Sequence, residues 1–369
     1  MKRVFRKAKK TAAGVKAKGE EYVEAKRVEN EPPKNVPKIT STAIPEHREE
    51  VLSSARKFIY PLQHSKHKIV LISVSLVVAA LLALFTYATV SLYRLGSSSN
   101  FMYKVTQIVP FPIARVGRDF VAYENYLFEL RRYKHYYETQ QKLDFDSESG
   151  QQQLEEFERR ALDRVVTLAY IKKIAKEKGI TVSDQEVEEQ ITLLKDQNRL
   201  GNGDQVFEDV LQDYFGWSRA DFQRYLSQEI LIQKVVAAMD TETVDRANAA
   251  YAELQAGTPF EEVANKYTDD QSGKGNGGAY GFDITKTSRD VTPQATNTLF
   301  SLQPGQYSAV INTGYSLEIF KLIEKKGETV KGAHILFNFK DPNSFTNDMK
   351  EKQPSRVYIP TTPAPAPAP

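Results

Sequence analysis

Between Ile69 and Tyr93 the chain carries 25 residues without a single charge, IVLISVSLVVAALLALFTYATVSLY. A helix rises about 1.5 Å per residue and a hydrocarbon core about 30 Å thick takes roughly 20 apolar residues, so this run predicts one transmembrane helix. Its apolar positions cover every face for many turns, which a half-buried helix of a globular domain does not show. The run starts too late and is too long for a cleaved signal peptide, and no obvious Ala-x-Ala-type cleavage site accompanies it.

Beyond the span the periodicity changes. Gly96–Asn100 reads as a flexible spacer. From about 118 to 240 the pattern is helical. Leu154, Phe157, Ala161, Val165 and Leu168 recur at steps of three and four, with Gly179 as the stop. Ser183 and Glu186 form a capping-box signature ahead of Val187, Ile191 and Leu194. Ser218 and Asp221 open a further helix with Phe222, Leu226 and Ile230 inward. After residue 241 the composition is α+β: a helix stopped at Gly257, a helix opened by Thr258-Pro259, a Gly-rich loop, a short helix near Thr292–Ser301, and strand-like runs at 308–311, 315–323 and 333–339. The ending IPTTPAPAPAP lacks the composition of a packed core.

Charge orients the span. Residues 1–68 hold 17 Lys/Arg against 8 Asp/Glu, a net of +9, leaving 33 against 39 beyond them, a net of −6. Arg56, Lys57, Lys66 and Lys68 precede the run, and after it Arg94 stands alone until Lys104. The positive-inside rule therefore places the N-terminus in the cytoplasm and the larger part outside it. The tail is expected to be disordered. Nucleic-acid binding is disfavoured because aromatic residues are sparse among its charges. The chain has no Cys, and its five His form no ligand-spaced set, so neither a metal nor another cofactor is expected. The glycines at 273, 275, 277 and 278 lack the Gly-Lys-Ser/Thr ending of a phosphate loop.

Three ordered blocks carry a resemblance. AELQAGTPFEEVANKYTDD (252–270), GNGGAYGF (275–282) and LFSLQPGQYSAVINTGYSLEIFKL (299–322) resemble, in that order, the helix–turn–helix, glycine turn and closing strand of the parvulin (PpiC-like) peptidyl-prolyl isomerases. PIARVGRDFVAYENYLFEL (112–130), KEKGITVSDQEVEEQI (176–191) and FGWSRADFQRYLSQEILIQKVV (215–236) are similar to the N-terminal chaperone region of SurA- and PrsA-type foldases. The expected organisation is a basic disordered tail (1–68), a transmembrane helix (69–93), a linker (94–111), a helical chaperone-like region (112–240), a parvulin-like domain (241–345) and a disordered Pro/Ala-rich tail (346–369).

The resemblance implies site residues. Asp270 falls where the family has its active-site Asp or Cys. Tyr280, Val291 and Ala295 fall at positions of the proline socket, and Phe300 at a core position beside them; Val291 replaces the usual Met and Ala295 the usual Phe, which makes the socket shallower. The first-strand His-Ile-Leu is missing ahead of residue 247, and the last strand has no His, with Ser316 or Glu318 in that place. Glu318 reads as a solvated strand residue. VKGAHILFNFKD (330–341) looks like the family's first strand placed after its last, making His334 the missing histidine. Either the domain is circularly permuted or a truncated repeat begins here. The permuted reading is preferred, because an empty slot would leave backbone groups unpaired. Taken with the span, the resemblance implies a membrane-anchored extracytoplasmic isomerase acting on unfolded, exported polypeptides. The alternative is a holdase whose parvulin domain has lost most of its catalysis.

Overall fold

The computed structural model describes residues 43–59, 62–201 and 203–360. The first 42 residues of the basic tail and residues 361–369 of the Pro/Ala tail lie outside the described residues. The chain divides into two units, one ending at Leu82 and one beginning at Ala83. Helix α1 (Ala43–Ile59) lies in the first unit, so the tail is not uniformly disordered; the Glu-, Arg- and Leu-containing sequence there favours helix. Helix α2 (Leu62–Tyr93) contains Lys68–Tyr93, a 26-residue stretch whose most apolar 18 residues have a mean hydropathy of 2.8, long and apolar enough to cross a membrane.

The second unit starts with the last turns of α2, where Ala88 and Leu92 are fully buried. The Tyr93 hydroxyl donates to the Pro112 carbonyl at 2.5 Å, and the Tyr123 hydroxyl donates to the Leu92 carbonyl at 2.9 Å. The expected linker is therefore structured. Ser99 caps helix α3 (Asn100–Ile108), which buries Met102 and Thr106. A hairpin follows, β1 (Pro112–Val116) with β2 (Asp119–Ala122). Five helices then build the helical part: α4 (Tyr123–Thr139), α5 (Glu148–Lys178), α6 (Asp184–Asp196), α7 (Asp204–Phe215) and α8 (Arg219–Met239). Both capping boxes form, at Ser183/Glu186 and Ser218/Asp221, and Gly179 ends α5 in the left-handed conformation.

Helices α9 (Thr241–Gln255) and α10 (Phe260–Tyr267) open the α+β part; Pro259 is the N-cap of α10 rather than a residue of its first turn. The strands are β3 (Ile284–Thr285), β4 (Ile311–Asn312), β5 (Ser316–Lys326) and β6 (Thr329–Asn338), with α11 (Pro293–Ser301) between β3 and β4. They form one sheet in the order β3-β6-β5-β4. Strands β5 and β6 are the long central pair, antiparallel from Ser316↔Asn338 to Lys326↔Thr329. One face of the pair carries Leu317, Ile319, Ala333, Ile335 and Phe337 against α9 and α10. The other carries Phe320, Leu322 and Val330 against Ile284, Val291 and α11. The strict alternation of a pleated strand sends the polar residues Ser316, Glu318 and His334 to this second face.

The C-terminal boundary differs from expectation. Residues 342–352 form helix α12 (Pro342–Lys352), capped by Asp341, and β7 (Ser355–Val357) pairs antiparallel with β1. The Tyr170 hydroxyl donates to the Gln353 carbonyl at 2.7 Å, and Ile359 packs against the helical core. The chain thus returns to the helical part before reaching its Pro/Ala repeat, because Arg356 and its neighbours complete an otherwise open sheet edge.

Candidate functional site

Asp270, His334 and Glu318 meet on the second face of the sheet. Three local features bring them together. Thr268 ends α10, and its hydroxyl accepts from both the Asp270 and the Leu336 backbone amides, at 3.2 Å each, which ties the Asp270 loop to β6. The Asp269 amide donates to the Leu336 carbonyl at 2.8 Å. The Gly-rich loop then runs beside β6, with the His334 amide on the Gly278 carbonyl at 2.9 Å and the Tyr280 amide on the Gly332 carbonyl at 3.1 Å. Gly278 is required for this approach. Its φ is +78°, and a Cβ there would lie 2.2 Å from the His334 carbonyl oxygen.

His334 has a carboxylate at each ring nitrogen. Nδ1 lies 2.7 Å from Glu318 Oε2, and Nε2 lies 3.2 Å from Asp270 Oδ2. Burial pulls the imidazole pKa down. The hydrogen bond and charge of Glu318, followed by those of Asp270, outweigh it and hold the value above 6.5. In the imidazolium both nitrogens donate. Burial pushes the Asp270 carboxyl up, but the Ser272 and His334 hydrogen bonds win and hold it below its ordinary value. Its Oδ1 accepts from the Ser272 hydroxyl at 2.7 Å and its Oδ2 from the Gly273 amide at 3.0 Å. Glu318 is buried, and its second oxygen accepts from the Thr313 hydroxyl at 3.0 Å and the Ser316 hydroxyl at 3.2 Å. The Tyr280 ring lies 4.4 Å from the His334 ring, tilted by 31°. Burial, then the Glu318 and Asp270 charges, push its phenol up, so it stays protonated. Among the described residues no group of His, Asp and Glu is arranged to hold a metal ion.

Of the six residues singled out in the sequence, Asp270, His334 and Tyr280 are brought together. Val291 and Ala295 are 6% and 1% exposed and pack with Leu299 and Phe320. Because Phe320 pairs with His334 across the strands, these two lie below the polar network rather than in open solvent. Phe300 lies toward the hairpin end. Its carbonyl accepts from Lys325, which pairs with Val330, four residues or about 13 Å along β6 from His334. It lines a cleft of about 490 Å³ with Lys286 and Lys325. Glu318, read from the sequence as solvated, is the residue that reading placed wrongly. The available signal was that Phe320 and Leu322, two and four residues on, share its face by strand alternation and are apolar.

The turn between β4 and β5, which carries Thr313 and Ser316, is held from the helical part. The Tyr315 hydroxyl donates to Glu229 of α8, and Glu229 accepts from Arg164 of α5. Gly314, at φ +105°, leaves room for Gln233. Arg164 also faces Glu129 at 3.1 Å, so the two buried glutamates share a half-buried arginine, and the largely exposed Tyr315 reaches this charged group from outside.

Comparisons with known proteins match two successive segments of the chain. A family model described as a SurA-like N-terminal domain matches residues 62–236, and one described as the PPIC-type PPIase domain matches residues 230–324. The foldase protein PrsA of Caldanaerobacter subterraneus subsp. tengcongensis is 27% identical over 202 residues, covering 49% of this chain and 61% of that protein. A parvulin-like PPIase of Rickettsia typhi is 29% identical over 91 residues, covering 25% of this chain and 32% of that protein. The chain thus spans about three fifths and one third of the lengths of these curated relatives. The crystal structure of foldase protein PrsA from Streptococcus pneumoniae is 18% identical, covering 55% of this chain and 80% of that one, with a TM-score of 0.21.

Proposed function

We propose that this chain, which joins a SurA-like N-terminal region to a parvulin-type PPIase domain, is a membrane-anchored foldase that catalyses cis–trans isomerisation of X–Pro bonds in unfolded polypeptides outside the cytoplasm. The observation that carries the reading is the charged string Glu318–His334–Asp270 beside Tyr280. Rotation about an X–Pro bond crosses a barrier of about 18–20 kcal/mol and takes tens of seconds or longer unaided. The planar amide is stabilised by a charge-separated resonance that water favours and an apolar wall does not. A site that removes the bond from water and binds the twisted amide more tightly lowers the barrier without making a covalent bond.

In this reading Tyr280 would meet the proline ring, with the buried Val291 and Ala295 packed behind it as the apolar floor of the socket and Phe300 at the far margin. Asp270, whose side chain is 21% exposed, is the solvent-side end of the string and would face the substrate amide. His334 holds Asp270 in place, and Glu318 keeps His334 protonated. The permuted arrangement is the form of the domain we favour. The matched PPIase segment ends at residue 324, yet the strand that carries His334 spans 329–338 and lies between β3 and β5. A truncated repeat would have no reason to fill that slot.

The anchor reading rests on the uncharged run of α2 and the basic excess before it. Refolding of a protein limited by a non-native prolyl bond tests the activity. The account expects the slow phase to accelerate at catalytic amounts of this chain, and loss of that effect in Asp270→Ala. Suppressed aggregation at stoichiometric amounts with an unchanged slow phase would instead identify a holdase.

A further inference from the structure

We infer that the outer face of α3 is a lipid-contacting surface, seated in the headgroup–acyl boundary of the bilayer that α2 crosses; the inference rests on the anchor reading above. Helix α3 is amphipathic in the sense opposite to that of a helix finishing a soluble domain. Its inner face buries Met102 and Thr106. Its outer face presents Phe101, Lys104 and Ile108, spaced by three and four residues, with Phe101 53% and Ile108 83% exposed. Leu95, at the end of α2, is 73% exposed. Large apolar side chains so bare, one on each turn of a short helix, are an unfavourable surface in water.

Continuity with α2 identifies the occupant. The last turns of α2 show two faces. Ala88, Ser91 and Leu92 are buried in the helical core, whereas Phe85, Tyr87 and Val90 are 53%, 57% and 46% exposed. The domain therefore grips the end of the candidate span directly. The Phe85 ring stacks on Phe111 with centroids 5.4 Å apart. Ile108 precedes Phe111 by three residues, which keeps it within about 10 Å of that contact. Phe85 itself lies nine residues, roughly 13 Å, before Arg94 along the helix. The Phe111 ring also lies 6.4 Å from the Tyr93 ring, and the Tyr93 hydroxyl donates to the Pro112 carbonyl, so the C-terminal end of α3 is held beside the last turns of α2, between Phe85 and Tyr93, while Leu95 and Phe101 follow directly on the end of the span. A helix lying in the interface buries its apolar face about 5–10 Å into the headgroup–acyl boundary and keeps basic side chains among the headgroups. Phe101 and Ile108 match the first requirement, and Lys104 with Arg94 matches the second. A second copy of the chain or a client peptide would cover the same side chains but would not depend on lipid.

The chain has no cysteine, so single cysteines report position without background. The full-length chain would be placed in phosphatidylcholine–phosphatidylglycerol vesicles with a solvent-sensitive fluorophore at Phe101→Cys, Ile108→Cys, Val78→Cys or Phe282→Cys. Val78 lies in the apolar run, and Phe282 is an exposed residue of the isomerase part. The inference predicts blue-shifted emission and loss of intensity with doxyl-labelled lipid at 78, 101 and 108, and neither change at 282. Quenching at 78 with none at 101 and 108 would overturn it while leaving the anchor standing. A shift at 101 and 108 that depends on protein concentration and not on quencher lipid would assign the face to a second copy. Absence of quenching at 78 would remove the anchor and the inference together.

Discussion

His334 Nδ1 lies 2.7 Å from Glu318 Oε2 across two adjacent strands, and both side chains are nearly closed off from water. Glu318 stands two residues from Ser316 and shares its face, so a carboxylate occupies the region where the resemblance leads one to expect a second histidine. A neutral imidazole between two carboxylates would leave one acceptor facing a lone pair, and the proton is therefore held.

That proton couples stability to pH. The folded pKa of His334 is raised above 6.5, so its contribution is fully present below about 6.5 and is lost as pH rises through the folded value. Thermal unfolding of the wild type should show stability declining across that window. In His334→Gln this component of the slope should vanish. Parallel pH profiles for the two proteins would show that folding leaves the histidine's pKa unshifted and that the two carboxylates do not hold its proton.

Removing the carboxylate while keeping its shape separates charge from packing. Glu318→Gln should cost roughly 1–3 kcal/mol, the typical penalty for a buried hydrogen-bonding group left badly matched. Isomerase activity should fall, and the remaining activity should decline at lower pH than in the wild type, since His334 then loses its proton more readily. Chemical denaturation and a pH–rate profile measure the two effects independently.

Gly278 meets two constraints at once, a positive φ and a 2.2 Å approach to the His334 carbonyl. Gly278→Ala should cost on the order of 1–3 kcal/mol for the backbone conformation alone, and more from the clash. Gly275, which is also left-handed but has no atom within 4 Å of a built Cβ, should tolerate the same change with the backbone term only. Similar unfolding midpoints for the two variants would refute the close packing of this loop on β6.

The central position of β6 makes a sharper claim. Phe337 is fully buried, and Phe337→Ala should cost about 3–5 kcal/mol. Ending the chain after Lys326 should abolish cooperative unfolding of residues 241–326 as read by hydrogen exchange. Unchanged protection in the shortened chain would make β6 an appendage and remove the case for a permuted domain.

Tyr315 donates to Glu229 from the turn that carries Thr313 and Ser316. Tyr315→Phe should cost roughly 0.5–1.5 kcal/mol, because the tyrosine is largely exposed and water can replace its hydroxyl at Glu229. It should also lower isomerase turnover several-fold by loosening the hydroxyls that hold Glu318. A variant with reduced stability and full turnover would show that the turn is fixed without help from the helical part.

Much of this was legible in the sequence, for identifiable reasons. Ser183/Glu186 and Ser218/Asp221 announced helix starts because a capping box is a local, two-residue interaction. His334 was legible through the residues around it, and Asp270 through the end of a patterned helix. The strand partner of β1 was not, because Ser355–Val357 is a three-residue strand whose stability comes from Pro112–Val116, more than 230 residues away. Helix α3 was hidden by the Gly-Ser run before it. Glu318 was misread because an acidic residue in a strand is ordinarily solvated, and only the pairing of β5 with β6 shows that it faces a buried imidazole.

The most direct test is cis-to-trans relaxation of short X–Pro peptides with varied X, in the presence of the wild-type chain and of Asp270→Ala, His334→Gln and Glu318→Gln, each confirmed as folded. The account predicts acceleration by the wild type, loss of it in Asp270→Ala and His334→Gln, and a weakened, pH-shifted rate in Glu318→Gln. A folded wild type that accelerates none of the peptides, or acceleration that survives both Asp270→Ala and His334→Gln, would contradict the assignment of this carboxylate–histidine string as the isomerase site.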